Sequence, residues 1–240
     1  MIPILLRGMV PRLVLVALVG VMFYLIEPGF HQHANEVVPE EFQLDLGALG
    51  ISASLSNLSA VAMLLLFGGV ISSDRREGYY RMYFSHPTRP LAYYGLRWVL
   101  SLAVAVAAAA VFLVLGQLAA WGRFEGGWSG IYLALMAAIA YGGLVAFLAT
   151  VLDRGDVWVA LILFFITYFW FYAVSLGLDP VPGAAGDLVS LLLPPQIALD
   201  DIRDGILRGE IAWGASLFVT GYGVFWLLIA GVMLKMRDWP

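Results

Sequence analysis

The run WVLSLAVAVAAAAVFLVLGQLAAWG, residues 98–122, carries 25 consecutive residues without a charged side chain. As a helix it would extend about 37 Å, longer than the ~30 Å hydrocarbon core of a bilayer. In lipid every backbone N–H and C=O has to be satisfied within the chain, which leaves the helix as the natural state of such a run. Five further uncharged stretches flank it: Leu13 to Ile26, Leu46 to Ser73, Trp128 to Leu152, Val157 to Leu178 and Ile211 to Leu234. The first is the shortest, and it becomes a full span, about 9–26, when Met9 and Val10 enter the membrane and Arg12 snorkels its guanidinium to the interface. Glu27, Pro28, Gly29 and Phe30 follow it where a signal peptide would need a small-x-small cleavage site, so it reads as a retained span.

The composition agrees with the spans. Of 240 residues, 62% are hydrophobic and 12% charged, with a mean hydropathy of +0.89. A soluble domain carries about 25% charged residues, so the bilayer is the solvent of this chain. Six spans with short connections use the whole length, leaving a single transmembrane domain over 1–240 and no room for a second, soluble one. The absence of cysteine excludes a disulfide framework, thiolate metal sites and a cysteine nucleophile.

The basic residues give the orientation. Ten of the thirteen (Arg7, Arg12, Arg75, Arg76, Arg81, Arg89, Arg97, Arg154, Lys235 and Arg237) fall on one side with both termini, and only Arg123, Arg203 and Arg208 fall on the other. By the positive-inside rule the first side is cytoplasmic. The expected fold is therefore all-α, with six transmembrane helices and both termini inside, in a cell or inner membrane.

Two connections stand out. The inner segment 74–97 places Asp74, Glu77, Arg81 and Ser85 three or four residues apart on one helical face, with Tyr79, Tyr80, Met82, Tyr83 and Phe84 opposite, and Pro87 and Pro90 end it. Two readings fit a short amphipathic helix there: one resting among lipid head groups, or one docking a soluble partner. On the outer side, Asp187 to Leu193 is a short apolar stretch, Pro194-Pro195 breaks it, and Leu199, Ile202 and Ile206 then form an apolar stripe, which implies two short helices.

At the inner segment the sequence resembles the ABC-2 type permease family. The family commonly shows an acidic-basic-x-x-Gly-Thr start, a Ser-Pro-x-x-Arg middle and a Gly-Lys entering the third span; Asp74, Arg75, Gly78, Pro87, Arg89 and Gly95 correspond to it, while Tyr79 stands where the family usually has Thr and Arg97 stands near its usual Lys. The resemblance implies that this loop is a coupling helix seated on an ATP-binding subunit, so that Asp74, Arg75, Glu77, Gly78, Arg81, Pro87 and Arg89 become candidate coupling residues. It also implies that the outer helix pair is re-entrant and that two copies, or two related permeases, meet along their second and fifth spans.

The residue inventory bears on energy supply. The single lysine, Lys235, has no glycine-rich loop before it, so the chain lacks a P-loop and is not itself an ATPase. The six uncharged stretches offer no ionisable group for proton or sodium coupling. A partner that hydrolyses ATP, and holds the ATP and Mg, is the simplest source of drive, and this chain needs no cofactor. Ser52, Ser56 and Ser59 share a face of the second span, and Phe165, Tyr168, Phe169 and Tyr172 belong to an aromatic cluster in the fifth. Both sets are candidates for a path for an apolar or amphipathic substrate, or for packing at a dimer seam. The expected function is the permease subunit of an ABC exporter. Its rivals are a non-transporting membrane scaffold for a cofactor pathway and a metal-handling protein using His31 and His33. A net charge of −4, if spread evenly, does not suit nucleic acid, and none is expected as a partner.

Overall fold

A computed structural model describes residues 2–31, 50–78, 89–178 and 181–236. The described residues contain helices and turns and no strand: α1 (Ile2–Ile26), a 3-10 turn (Pro28–Phe30), α2 (Ser52–Phe67), α3 (Val70–Arg76), α4 (Pro90–Trp121), α5 (Ser129–Val151), α6 (Asp156–Ser175), α7 (Ala184–Leu192), α8 (Gln196–Arg208) and α9 (Trp213–Met236). Six candidate spans result, Met9–Ile26, Ser52–Arg76, Pro90–Trp121, Ser129–Val151, Asp156–Val174 and Trp213–Met236. The protein is a multi-pass, all-helical membrane protein.

Helix ends follow local chemistry. Pro90 opens α4, where its missing N–H costs nothing, and Gly122 closes it in the left-handed region at φ 70°. α4 is 32 residues long and begins eight residues before Trp98, so Tyr93, Tyr94 and Arg97 lie on its first turns and not in a connecting loop as the charge pattern implied. The second span also departs from expectation. It runs on to Arg76 but is broken at Gly68–Gly69 into α2 and α3.

Packing divides the helices into centre and rim. In the second and fourth spans 78% and 72% of the apolar window is buried, against 11% in the first and 17% in the fifth. α5 is the central post, packed against α2 on one side and α9 on another. The α5–α9 crossing is made backbone to backbone. A Cβ built on Gly143 would strike the carbonyl oxygen of Gly223, and one built on Gly223 would lie 2.5 Å from the carbonyl oxygen of Ile139. Without a hydrophobic drive between helices in lipid, such close approach is the main source of association.

α1 is held at both ends. At one, Glu27 is buried and accepts hydrogen bonds from the Ser54 hydroxyl and from the Gly29 N–H at 3.2 Å, while Phe30 packs edge-on against Phe112 with centroids 5.5 Å apart. At the other end lies Arg12. The described arginines at this second end, Arg12, Arg75, Arg76, Arg89, Arg97 and Arg154, outnumber those at the first, where Arg123, Arg203 and Arg208 stand among many acids. We refer to them as the arginine-rich and acidic ends.

Gly143→Ala should lower the melting temperature in detergent, with an overpacking cost of about 1–3 kcal/mol. Gly221→Ala, whose Cβ meets nothing within 4 Å, should be neutral or stabilising because alanine is the better helix former. Tryptophan-fluorescence melts of the two variants check the contrast.

Candidate functional site

A helix interrupted within a membrane protein exposes the last carbonyls of its first half and the first N–H groups of its second. At Gly68–Gly69 the chain leaves the helix at φ −57°, ψ 144° and re-enters through the left-handed region at φ 73°. The orphaned groups are met by side chains from other spans. Arg12 of α1 donates through Nη1 to the carbonyls of Leu65, Leu66 and Gly68 at 3.2, 2.9 and 2.7 Å. Asp156, the first residue of α6, accepts the Gly69 N–H at 2.6 Å through Oδ2 and the Ser72 hydroxyl at 3.1 Å through Oδ1. The charges match the helix dipoles: a cation at the C-terminus of α2, and an anion at the N-terminus of α3 that also stands at the N-terminus of its own helix.

One turn further along, Asp74 is 5% exposed and accepts from Arg97 Nη1 at 3.3 Å and from the Tyr94 hydroxyl at 3.3 Å. The Arg97 guanidinium also stands 6.0 Å from the centroid of the Tyr93 ring, within cation–π range. Arg75 donates to the Thr150 carbonyl at 3.3 Å and pairs with Asp153, which is largely exposed. The junction thus brings together three cations, Arg12, Arg75 and Arg97, and three carboxylates, Asp74, Asp153 and Asp156, from α1, α3, α4, α6 and the α5–α6 turn. It is neutral as a whole, which is the condition for tolerating charge in a poorly solvated place.

Several expectations change here. Arg12 does not snorkel outward. Its guanidinium is used inside the bundle, because the broken helix offers three carbonyls within reach. The spans do contain ionisable groups: Arg12, Asp74, Arg97 and Asp156 lie within the candidate membrane helices. In the short 153–156 turn Asp156 is buried, at 2% exposure, while Asp153 is exposed. The polar face expected for Asp74, Glu77, Arg81 and Ser85 does not form as one described helix, because α3 ends at Arg76, Gly78 turns at φ 74°, and Asp74 points inward at Arg97.

The candidate coupling residues therefore separate. Asp74 and Arg75 are structural members of the junction, Glu77, Gly78 and Arg89 stand at its mouth, and Arg81 and Pro87 lie outside the described residues. The candidate substrate-path residues also separate. Ser52, Ser56 and Ser59 are buried within the bundle, and the hydroxyls of Ser52 and Ser59 find no hydrogen-bond partner among the described residues. Phe165, Tyr168, Phe169 and Tyr172 are exposed on α6. On that helix Trp158, Ile162, Phe165, Phe169 and Tyr172, and Leu176 just past its end, each more than half exposed, follow one another at spacings of four and three. His31 bonds the Tyr24 carbonyl at 2.8 Å, His33 lies outside the described residues, and no group of three metal-ligating side chains exists among the described ones.

At the acidic end the two short helices implied by the Pro194-Pro195 break are α7 and α8. α7 is slung between two spans: Trp170 Nε1 of α6 donates to the Ser190 hydroxyl at 3.1 Å, and the Tyr222 hydroxyl of α9 donates to the Leu192 carbonyl at 2.9 Å. Leu199 and Ile202 of the α8 stripe are buried in the main core.

No model of a known protein family matches the chain, and no curated protein matches it. The sequence reading missed Arg12, Ser72, Tyr94 and Asp156 as site residues. The available signal was Gly68-Gly69 inside an apolar run, with charges waiting at the edges of three other runs.

Asp74→Ala should destabilise the protein by about 3–5 kcal/mol, because it leaves the Arg97 charge buried and unpaired. The double variant Asp74→Asn with Arg97→Gln should recover much of that loss. Arg76→Ala, at an exposed pair, should stay within about 0.5 kcal/mol. Thermal melts of the purified variants measure all three.

Proposed function

We propose that this protein is the permease subunit of an ATP-driven exporter, which docks a separate ATP-binding subunit and moves an apolar or amphipathic substrate across the cell membrane by alternating access. The observation that carries the reading is the footing of segment 79–88. Segment 79–88 is joined at one end to α3, which carries Asp74, and at the other to α4, which carries Arg97, and these two residues form a buried ion pair. A force applied to that segment is therefore delivered to a braced base, from which Asp156 and Arg12 lead to α6 and α1. A surface helix merely resting on lipid has no need of such a base.

The chain has no P-loop and must borrow its drive. With ten of its thirteen basic residues on the side of this segment, the segment faces the cytosol, where ATP and Mg are held by the partner. The acidic end then faces outward. Tyr222 is the tenth residue of α9, so its bond to the Leu192 carbonyl lies about 13 Å along that helix from Trp213. That depth supports a re-entrant α7–α8 pair, with the Pro194-Pro195 elbow reaching toward the middle of the bilayer as an outer gate. The exposed stripe on α6 has the 3.5-residue period of a helix seam, which supports pairing of two permease copies along an aromatic-lined interface.

Purified from its native membranes, the protein should carry a stoichiometric ATPase and, in liposomes, support ATP-dependent flux. Glu77→Ala and Arg89→Ala should each lower permease-stimulated ATPase activity several-fold with an unchanged melting temperature. A preparation that binds no ATPase and supports no ATP-dependent flux overturns the reading.

A further inference from the structure

α3 is a seven-residue helix with an unusual attachment. No backbone hydrogen bond links it to α2 among the described residues: Gly68 N–H closes α2 on the Leu64 carbonyl, Ser73 N–H opens α3 on the Gly69 carbonyl, and the intervening Gly69 N–H goes to Asp156. Its covalent tie is a Gly-Gly pair, of which Gly69 sits at φ 73° and Gly68 at an extended ψ of 144°. Its angle to α2 is thus set by side chains. Arg12 fixes the end of α2 and Asp156 fixes the start of α3, and the two are within electrostatic reach of each other.

The far end of α3 is tied differently. Asp74 joins it to Arg97 of α4 through a buried pair, with the Tyr94 hydroxyl as a second donor. The Arg75–Asp153 link to the α5–α6 turn has an exposed carboxylate and is correspondingly weak. The strong tie therefore makes α3 and the first turns of α4 one body, which carries both roots of segment 79–88. A movement must undo the ties across the break, to α1 and α6, and also shift Val70 and Ile71 in the core and the Trp98 bond to the Gly142 carbonyl of α5.

We propose that Gly68–Gly69 is a joint in the second span, about which α3 and the start of α4 swing together, and that Arg12 and Asp156 are the positioning residues that hold its resting angle. Arg12 can let go of one carbonyl and keep the others, since a single Nη1 serves all three. Asp156 keeps the N-terminus of its own helix when it releases Gly69 and Ser72, so the opened state leaves no isolated charge. The purpose of the joint, passing a push on segment 79–88 to the outer spans, rests on the permease reading; its existence does not.

The chain has no cysteine, so spin labels can be placed on the full protein at Arg76→Cys on α3 and Arg123→Cys at the acidic end, both exposed in the structure. In nanodiscs the otherwise unaltered protein should give one narrow distance distribution. Asp156→Asn and Arg12→Gln should each add a second population or at least double the width, while Asp156→Glu keeps a single distance. An unchanged distribution in both charge-removing variants, each with a cooperative melt, overturns the joint. Should those two fail to fold, Ser72→Ala decides, because it removes one partner of Asp156 and no charge: broadening supports the joint and an unchanged width overturns it. The measurement contains no ATPase, so failure to bind one would sink the permease reading without altering these distances, and a rigid α3 would sink the joint without touching ATPase binding.

Discussion

The arrangement at the arginine-rich end depends on one interaction, the Arg12 guanidinium set against three backbone carbonyls at the end of α2. A helix can be interrupted inside a bilayer only if the released polar groups find partners. Here the partners are charged side chains from helices that are otherwise lipid-facing. Once Arg12 and Asp156 occupy the two faces of the break, α3 can turn away from the line of α2, and Asp74 can face Arg97. Remove the guanidinium and the carbonyls of Leu65, Leu66 and Gly68 lose a shared donor in a place poor in water.

This places the polar chemistry where two kinds of packing meet. α5, with α2 and α9 against it, forms a core of small-residue contacts such as Gly143 on Gly223. α1 and α6 lie at the rim and bury little surface. Rim helices held by few apolar contacts are the ones a modest force can move, and in this protein each of them reaches the centre through one charged residue. The acidic end has its own suspension, with α7 tied to α6 by Trp170 and to α9 by Tyr222. α6 is bonded to polar groups at both ends of the bundle, through Asp156 and Trp170, and it also carries the exposed aromatic stripe.

What could be read from the sequence divides along the same line. The number of spans was legible because charge is excluded from lipid so strongly that each uncharged run marks a crossing. The helix pair at the acidic end was legible from Pro194-Pro195 and the stripe at Leu199, Ile202 and Ile206, whose first two members are buried as that pattern requires. The junction was not. Its charges sit at the edges of runs, where a side chain can turn outward to water or inward to a partner with the same local sequence, and only the fold decides. Arg97 and Tyr94 looked like loop residues because a charge ended the uncharged run, yet Pro90 starts the helix two turns earlier. Gly68-Gly69, inside an uncharged run, is a break in the second span. Asp74, expected on a solvent-facing polar face, is instead paired with Arg97.

Hydrogen exchange on the unaltered protein tests most directly whether the broken span is held by its side-chain partners. In nanodiscs, the amides of Gly69 and Ser73 should exchange as slowly as those of α5, because the first is bonded to Asp156 and the second to the Gly69 carbonyl. Rapid exchange of the Gly69 and Ser73 amides, with α2 on one side and α4 on the other protected, would mean that Asp156 does not hold the break and would contradict the account.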